Sequence, residues 1–177
     1  MKNQIGFDSI CSSVRAMAIN DNKLLVGTLG AEIYELNFDR IDSLATIKPF
    51  LGCTNIVKGH YSPNNTWTNE VWGLHVHNDI VFTCADDATV RCWSISKRKQ
   101  LSCVSNNTEY VNGRNLVEME KDKKTNDFTD SAKGRAICVS PDGEFVVVGS
   151  KDGTVRVFSF SPINYEMKTI NVFKHAQ

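Results

Sequence analysis

The fold of this chain is decided by residues 80–93, which read Ile80-Val81-Phe82-Thr83-Cys84-Ala85-Asp86-Asp87-Ala88-Thr89-Val90-Arg91-Cys92-Trp93. β-Branched and aromatic side chains fill both halves of this stretch, as they do in strands. Between the halves, Asp87-Ala88 supplies residue types that favour a tight turn. The stretch therefore predicts a β-hairpin.

Two other segments repeat this hairpin without gaps in their cores. Gly30 takes the position of Asp87 in residues 23–36, and Asp152 takes it in residues 144–158. A second shared position holds Leu36, Trp93 and Phe158. One further strand is predicted before each hairpin and another after it. The chain is therefore expected to contain a four-stranded antiparallel meander three times.

A sheet of this kind cannot bury both of its faces alone, so it must stack on its neighbours as the blades of a β-propeller do. We therefore predict an all-β chain. Its expected parts are blade 1 over about 14–58 with an insertion at 37–54, blade 2 over about 71–104, an insertion at 105–133, and blade 3 over about 134–173. Three blades leave a ring incomplete, since propellers typically have four to eight. We expect residues 1–177 to be part of a longer propeller, whose outer blades expose faces that promote self-association.

Composition excludes several classes of protein. Of the 177 residues, 41% are hydrophobic and 23% are charged, which is typical of a soluble globular protein. No apolar run approaches the roughly 20 residues that span a bilayer. The 20 basic side chains are balanced by 20 acidic ones, so a broad nucleic-acid-binding surface is not expected. The six cysteines form no C-x-x-C pair, and we expect reduced thiols in an intracellular protein.

Polar residues around the second unit carry a family resemblance. Gly59-His60 precedes this unit, and Trp93-Ser94 closes its third strand. On these marks the sequence resembles the WD40 repeat family, in which a buried hydrogen-bonded set ties each blade together. The resemblance assigns this structural role to His60, Thr83, Asp87 and Trp93. It extends to Asp152 in blade 3, which has no histidine in the preceding loop.

Five phrases carry a narrower resemblance: Lys23–Thr28, Ile56–His60, Glu70–Leu74, Gly134–Glu144 and the ending Phe173-Lys174-His175. They are similar to the echinoderm microtubule-associated protein-like family, whose members carry tandem propellers and are tied to microtubules and tubulin. The resemblance implies a non-catalytic, tubulin-binding scaffold with a cytoplasmic and, more narrowly, cytoskeletal location. Some members also have a coiled coil and a basic segment, and neither pattern occurs in these 177 residues.

Two basic clusters are the tentative partner contacts. The first consists of Lys97, Arg98 and Lys99, and the second of Lys121, Lys123 and Lys124. Acidic tubulin surfaces could attract both by electrostatic steering. The plain alternative is a solvated turn and a solvated loop, and the polar insertion at 105–133 is expected to be mobile.

No motif in the sequence indicates catalysis. Phosphate-binding loops, G-x-S-x-G elbows and H-E-x-x-H helices do not occur. His75 and His77 could approach Cys84, but no fourth ligand stands at a characteristic spacing. We predict no catalytic, cofactor or metal site. The alternatives are a WD40 scaffold of another intracellular assembly (ciliary, trafficking or signalling) and, more remotely, a propeller enzyme.

Overall fold

A computed structural model describes residues 13–37, 54–60, 69–106, 110–111, 114–115 and 132–174. Every regular element in these residues is a strand, which confirms the predicted all-β class. Three antiparallel sheets of four strands follow one another along the chain. Sheet 1 contains β1 (Val14–Asn20), β2 (Lys23–Thr28), β3 (Glu32–Asn37) and β4 (Thr54–Lys58). Sheet 2 contains β5 (Val71–His77), β6 (Ile80–Ala85), β7 (Thr89–Ser94) and β8 (Lys99–Ser105).

A short hairpin precedes the third sheet. It pairs β9 (Tyr110–Val111) with β10 (Arg114–Asn115), and both strands lie within the predicted insertion at 105–133. Sheet 3 contains β11 (Gly134–Val139), β12 (Phe145–Ser150), β13 (Thr154–Ser161) and β14 (Glu166–Lys174). His175 and the cysteines Cys11 and Cys53 lie outside the described residues.

The three sheets share one strand register. In sheet 2, Val81 pairs with Trp93, and in sheet 3, Val146 pairs with Phe158 at the same position. The turns between the second and third strands also agree, because Ala31, Ala88 and Gly153 all have positive φ. Each first strand carries a register shift near its start, between Val14 and Ala16, Val71 and Gly73, and Gly134 and Ala136. The three copies are therefore one structural unit.

Apolar side chains between neighbouring sheets form the core. One cluster joins sheets 1 and 2 through Leu25, Ile33, Leu74, Val81 and Trp93. A larger cluster joins sheets 2 and 3, and its buried residues are Phe82, Cys84, Val90, Cys92, Val139, Val146, Val148, Phe158, Phe160 and Met167. The first strands β1, β5 and β11 also lie beside one another. Sheets stacked face to face around adjacent first strands are the blades of an incomplete propeller.

In the part of the chain that the structure describes, no helix is long and apolar enough to cross a membrane.

Candidate functional site: a buried polar network and an arginine–tryptophan stack

The polar residues singled out in blade 2 meet in one buried chain. His60 Nδ1 lies 3.0 Å from each carboxylate oxygen of Asp87, and its Nε2 lies 2.7 Å from Thr83 Oγ1. The indole N–H of Trp93 donates to the same Thr83 oxygen at 2.8 Å. Three of the four side chains (His60, Thr83 and Trp93) come from residues at most 3% exposed. The fold thus brings together a loop residue and residues of β6, β7 and their turn.

Burial favours a neutral imidazole at His60, because it lowers the pKa of this side chain from its usual value of 6.5. The ionised Asp87 can only accept, so His60 Nδ1 carries the proton of the neutral ring. His60 Nε2 is then an acceptor, so the Thr83 hydroxyl donates to it while the Thr83 oxygen accepts from Trp93.

Two further residues donate hydrogen bonds to the Asp87 carboxylate. Thr89 donates to it from its backbone N–H at 3.0 Å and from its hydroxyl at 2.8 Å. Arg91 Nη2 donates at 2.8 Å. Burial would raise the pKa of Asp87, but the hydrogen bonds from His60 and Thr89 and the charge of Arg91 outweigh it and lower the pKa. An ionised carboxylate therefore anchors the network.

Blade 3 rebuilds one half of this arrangement. Thr154 donates to Asp152 from its backbone N–H at 3.0 Å and from its hydroxyl at 2.6 Å, and Arg156 Nη2 donates at 3.1 Å. The Asp-x-Thr-x-Arg pattern is thus common to both blades. Val148 and Phe158 replace Thr83 and Trp93, so no threonine–tryptophan pair exists here.

Asn106 was not found from the sequence, although it takes the place of the histidine in blade 3. Its backbone N–H donates to Ala88 O at 2.8 Å, as that of His60 donates to Ala31 O at 3.1 Å. The side chain is fully buried and its Nδ2 donates to Ala132 O and to Ser150 Oγ, at 2.5 and 2.9 Å. Asn106 follows its strand one residue sooner than His60 does, so no Gly-His phrase marks it.

A second polar cluster crosses the first strands of all three blades. Arg15, Trp72 and Arg135 stand at equivalent positions, next to the register shift of each first strand. The two guanidinium carbons lie 5.2 and 5.1 Å from the Trp72 ring centroid, within cation–π range. We call these three residues the arginine–tryptophan stack. In the sequence, Trp72 belongs to the phrase Glu70–Leu74 that carries the narrower family resemblance, and the alignment of the three first strands was the signal that could have predicted the stack.

Carboxylates from neighbouring blades fix both arginines. Arg15 Nε lies 2.5 Å from Glu70 Oε2, and Arg135 Nη1 lies 2.6 Å from Asp86 Oδ1. The arginine side chains remain 28% and 30% exposed. The stack therefore leaves two ordered arginine side chains partly exposed, with the half-buried Trp72 ring between them.

The predicted basic contacts are placed only in part. Lys97, Arg98 and Lys99 are exposed at the turn between β7 and β8. Lys121, Lys123 and Lys124 lie outside the described residues. The β7–β8 turn is at the end of sheet 2 opposite the stack, because Val71 pairs with Ala85 and Ile80 pairs with Ser94. The fold does not bring these two surfaces together.

The shifted pKa values do not assemble a reactive centre. The imidazole of His60 is fully buried and both its nitrogens are engaged. Burial raises the pKa of the Cys84 and Cys92 thiols to about 12, which suppresses the thiolate. Within the described ranges, no three His, Cys, Asp or Glu side chains are grouped to hold a metal ion. The groove lined by Asn20, Asp21, Asn78 and Asp79 is polar, and Asp79 there already accepts from Ser94 and Ser96.

Comparison with known proteins agrees with this geometry. The family of the WD domain, G-beta repeat (WD40), matches residues 51–94 and 126–159. Among solved structures, the computationally designed Ika8 protein superposes with a TM-score of 0.55 at 21% identity, over 92% of this chain and 37% of Ika8. The computationally designed Ika4 protein gives 0.54 at 20% identity, over 97% of this chain and 80% of Ika4. Both similarities concern the fold alone. The two family matches and the three equivalent blades support the assignment of this chain as a WD40-repeat protein.

Proposed function

We propose that this chain is a protein-interaction scaffold that binds its partner through the arginine–tryptophan stack, and that the partner is tubulin or the microtubule. The WD40 repeats support the scaffold role. The observation that carries the binding surface is the cation–π arrangement of Arg15 and Arg135 about Trp72. The tubulin assignment rests on the resemblance to the microtubule-associated family.

The chemistry of the stack suits protein recognition. Tryptophan and arginine are the residue types most enriched among the few that carry the free energy of binding at interfaces. Here the arginines are held by Glu70 and Asp86, so little side-chain entropy remains to be lost on binding. The cluster joins three blades, and a partner docked on it would contact all of them.

The exposed residues 97–99 are the alternative contact surface for the same partner. Their three cationic side chains lie at the surface, which suits steering of an acidic surface more than tight contact. Because the turn and the stack lie at opposite ends of sheet 2, a single flat partner surface would engage one of them. Variants of the two surfaces can therefore be separated by experiment.

Cosedimentation with polymerised tubulin tests the proposal. The double variant Arg15→Gln/Arg135→Gln keeps a polar hydrogen-bonding side chain at both positions but removes both cations. We expect it to weaken binding at least tenfold, which corresponds to about 1.4 kcal/mol. Reversal at Lys97, Arg98 and Lys99 should weaken binding at low salt and reduce the loss of binding as the salt concentration rises, because fewer attractive charges remain to be screened. Lys168→Glu is the matched control, because Lys168 is 67% exposed and pairs only with the neighbouring Glu166.

The outcomes separate the parts of the proposal. Loss of binding in the arginine variant alone supports the stack. Loss only on reversal of residues 97–99 would move the contact to the opposite end of the sheet. No sedimentation of the unaltered chain with microtubules would refute the tubulin assignment.

A further inference from the structure

The arginines of the arginine–tryptophan stack keep hydrogen-bond donors that the fold does not use. Arg15 donates from Nε to Glu70. Arg135 donates from Nη1 to Asp86 and to Gly134 O, at 2.6 and 2.9 Å. Within the described residues, Nη1 and Nη2 of Arg15 and Nε and Nη2 of Arg135 make no hydrogen bond. The donors of a guanidinium lie in pairs that match the two oxygens of a carboxylate, so each arginine can still bind one.

Two buried donors belong to the same part of blade 2. The side chain of Asn69 is 5% exposed, and its Nδ2 has no partner in the described ranges. The buried indole Nε1 of Trp72 also lacks an acceptor there. Glu70, which holds Arg15, stands between these two residues in the sequence. A buried N–H without an acceptor is unfavourable, so a ligand that brings an acceptor to this place gains free energy.

The two buried donors lie on the one blade that is flanked on both sides. Blade 2 packs against blade 1 through one apolar cluster and against blade 3 through another. In repeat architectures each unit contacts its nearest neighbours, so further blades before blade 1 or after blade 3 would not pack on blade 2. Asn69 and Trp72 therefore keep these surroundings in a longer propeller.

We propose that the stack recognises an extended acidic segment of its partner, with one carboxylate bound to Arg15 and a second bound to Arg135. This assignment rests on the proposed role of the stack as the binding surface. An acidic segment uses donors that are open, whereas a basic segment would have to break the ion pairs that engage Glu70 and Asp86.

The spacing of the two arginines fits this kind of segment. Their guanidinium carbons lie 5.2 and 5.1 Å from the same Trp72 ring centroid, so the sum of these distances is their largest separation. In an extended chain, alternate side chains point to the same side and are about 7 Å apart. Glutamates at two alternate positions therefore reach both arginines, and a carboxylate oxygen that enters beside the ring would supply the acceptor that Trp72 Nε1 lacks.

Peptide binding tests the charge of the recognised segment. The probe is a fluorescent, otherwise uncharged peptide with glutamates at two alternate positions, and its counterparts carry glutamines or lysines there. By fluorescence anisotropy at low salt, the unaltered chain should bind the glutamate peptide at least tenfold more tightly than either counterpart. The double variant Arg15→Gln/Arg135→Gln should lose this preference. Lys168→Gln is the control and should keep it, because it removes a cation that is 67% exposed and pairs only with Glu166.

The results separate the acidic segment from the tubulin assignment. Sedimentation with microtubules, combined with no preference for the glutamate peptide, would overturn the acidic segment and leave the tubulin assignment intact. A preference that survives in the double arginine variant would place the acidic contact outside the stack and would also overturn it. A preference that needs the arginines, in a chain that does not sediment with microtubules, would support the acidic segment and refute tubulin as the partner. Circular dichroism of each variant must match that of the unaltered chain, which excludes unfolding as the cause of lost binding.

Discussion

Blades 2 and 3 use the same turn but different interiors. Both hold an aspartate with a threonine two residues later and an arginine four residues later. Blade 2 extends this cluster inward through His60 and Thr83 to Trp93. Blade 3 stops at Asn106 and Ser150 and fills the remaining space with apolar side chains. The comparison teaches that the turn cluster and the inward chain are separable parts of the repeat.

The largest difference between the two blades in the free energy of unfolding is expected when His60 and Asn106 are each replaced by alanine. His60→Ala should lower the free energy of unfolding by about 3 kcal/mol, because it leaves buried Thr83 and Asp87 groups without a partner and opens a cavity. Asn106→Ala should cost about half as much, since Ser150 keeps its bond from Arg156 at 2.9 Å. Urea unfolding at one fixed protein concentration measures both. Equal losses of unfolding free energy would show that the hydrogen bonds from His60 through Thr83 to Trp93 add nothing to the stability of blade 2.

The next largest effect on the free energy of unfolding is expected when the threonine and tryptophan of the inward hydrogen bonds are introduced into blade 3. Val148→Thr should cost about 1–2 kcal/mol, because the new hydroxyl sits at a fully buried position beside Phe158. Adding Phe158→Trp supplies a donor and should recover part of that loss. The double-mutant cycle reports the coupling. A coupling energy near zero between Val148→Thr and Phe158→Trp would show that the inward hydrogen bonds cannot be added to the turn cluster of blade 3, which would contradict the view that the two are separable.

Acid is expected to lower the free energy of unfolding through His60 of blade 2. The pKa of His60 is lowered in the folded chain, so the unfolded chain binds more protons as pH falls below 6.5. The stability is therefore complete above that value and falls by up to about 1.4 kcal/mol per pH unit below it, until the folded-state pKa is reached. Urea unfolding between pH 7.5 and 5.5 measures the slope.

The control for the pH effect is His60→Asn, which gives blade 2 the residue type that stands in blade 3. This variant should lose most of the slope, leaving the part due to His75, whose pKa is also lowered by burial and by His77. An unchanged slope would show that His60 is not the group responsible.

The smallest difference is expected within the shared turn. Thr89→Val and Thr154→Val each remove one hydroxyl that donates to an aspartate, at 2.8 and 2.6 Å. Each should cost about 1 kcal/mol, and the two values should agree within about 0.5 kcal/mol. Unequal costs in urea unfolding would show that the inward chain alters the turn itself.

The strands and turns of all three blades could be predicted because period-two patterns and turn residues are local signals. The His60 to Trp93 set could be anticipated because the family resemblance supplied the partners. Asn106 could not, since its role depends on a backbone bond to Ala88 and not on a phrase in the sequence. The arginine–tryptophan stack could not be predicted for a similar reason. Its members are 57 or more residues apart, and only the packing of β1, β5 and β11 makes them neighbours.

His60 and Asn106 each precede, along the chain, the sheet that they anchor. During synthesis from the N-terminus, each of the two residues therefore emerges from the ribosome before its side-chain partners, which are Asp87 and Thr83 for His60 and Ala132 and Ser150 for Asn106. The chain can close the polar cluster of a blade as soon as the third strand of that blade is available, without waiting for the next blade. Apolar packing between blades must come later, because it needs both sheets. The order of residues thus lets the polar clusters of blades 2 and 3 form within each blade during translation.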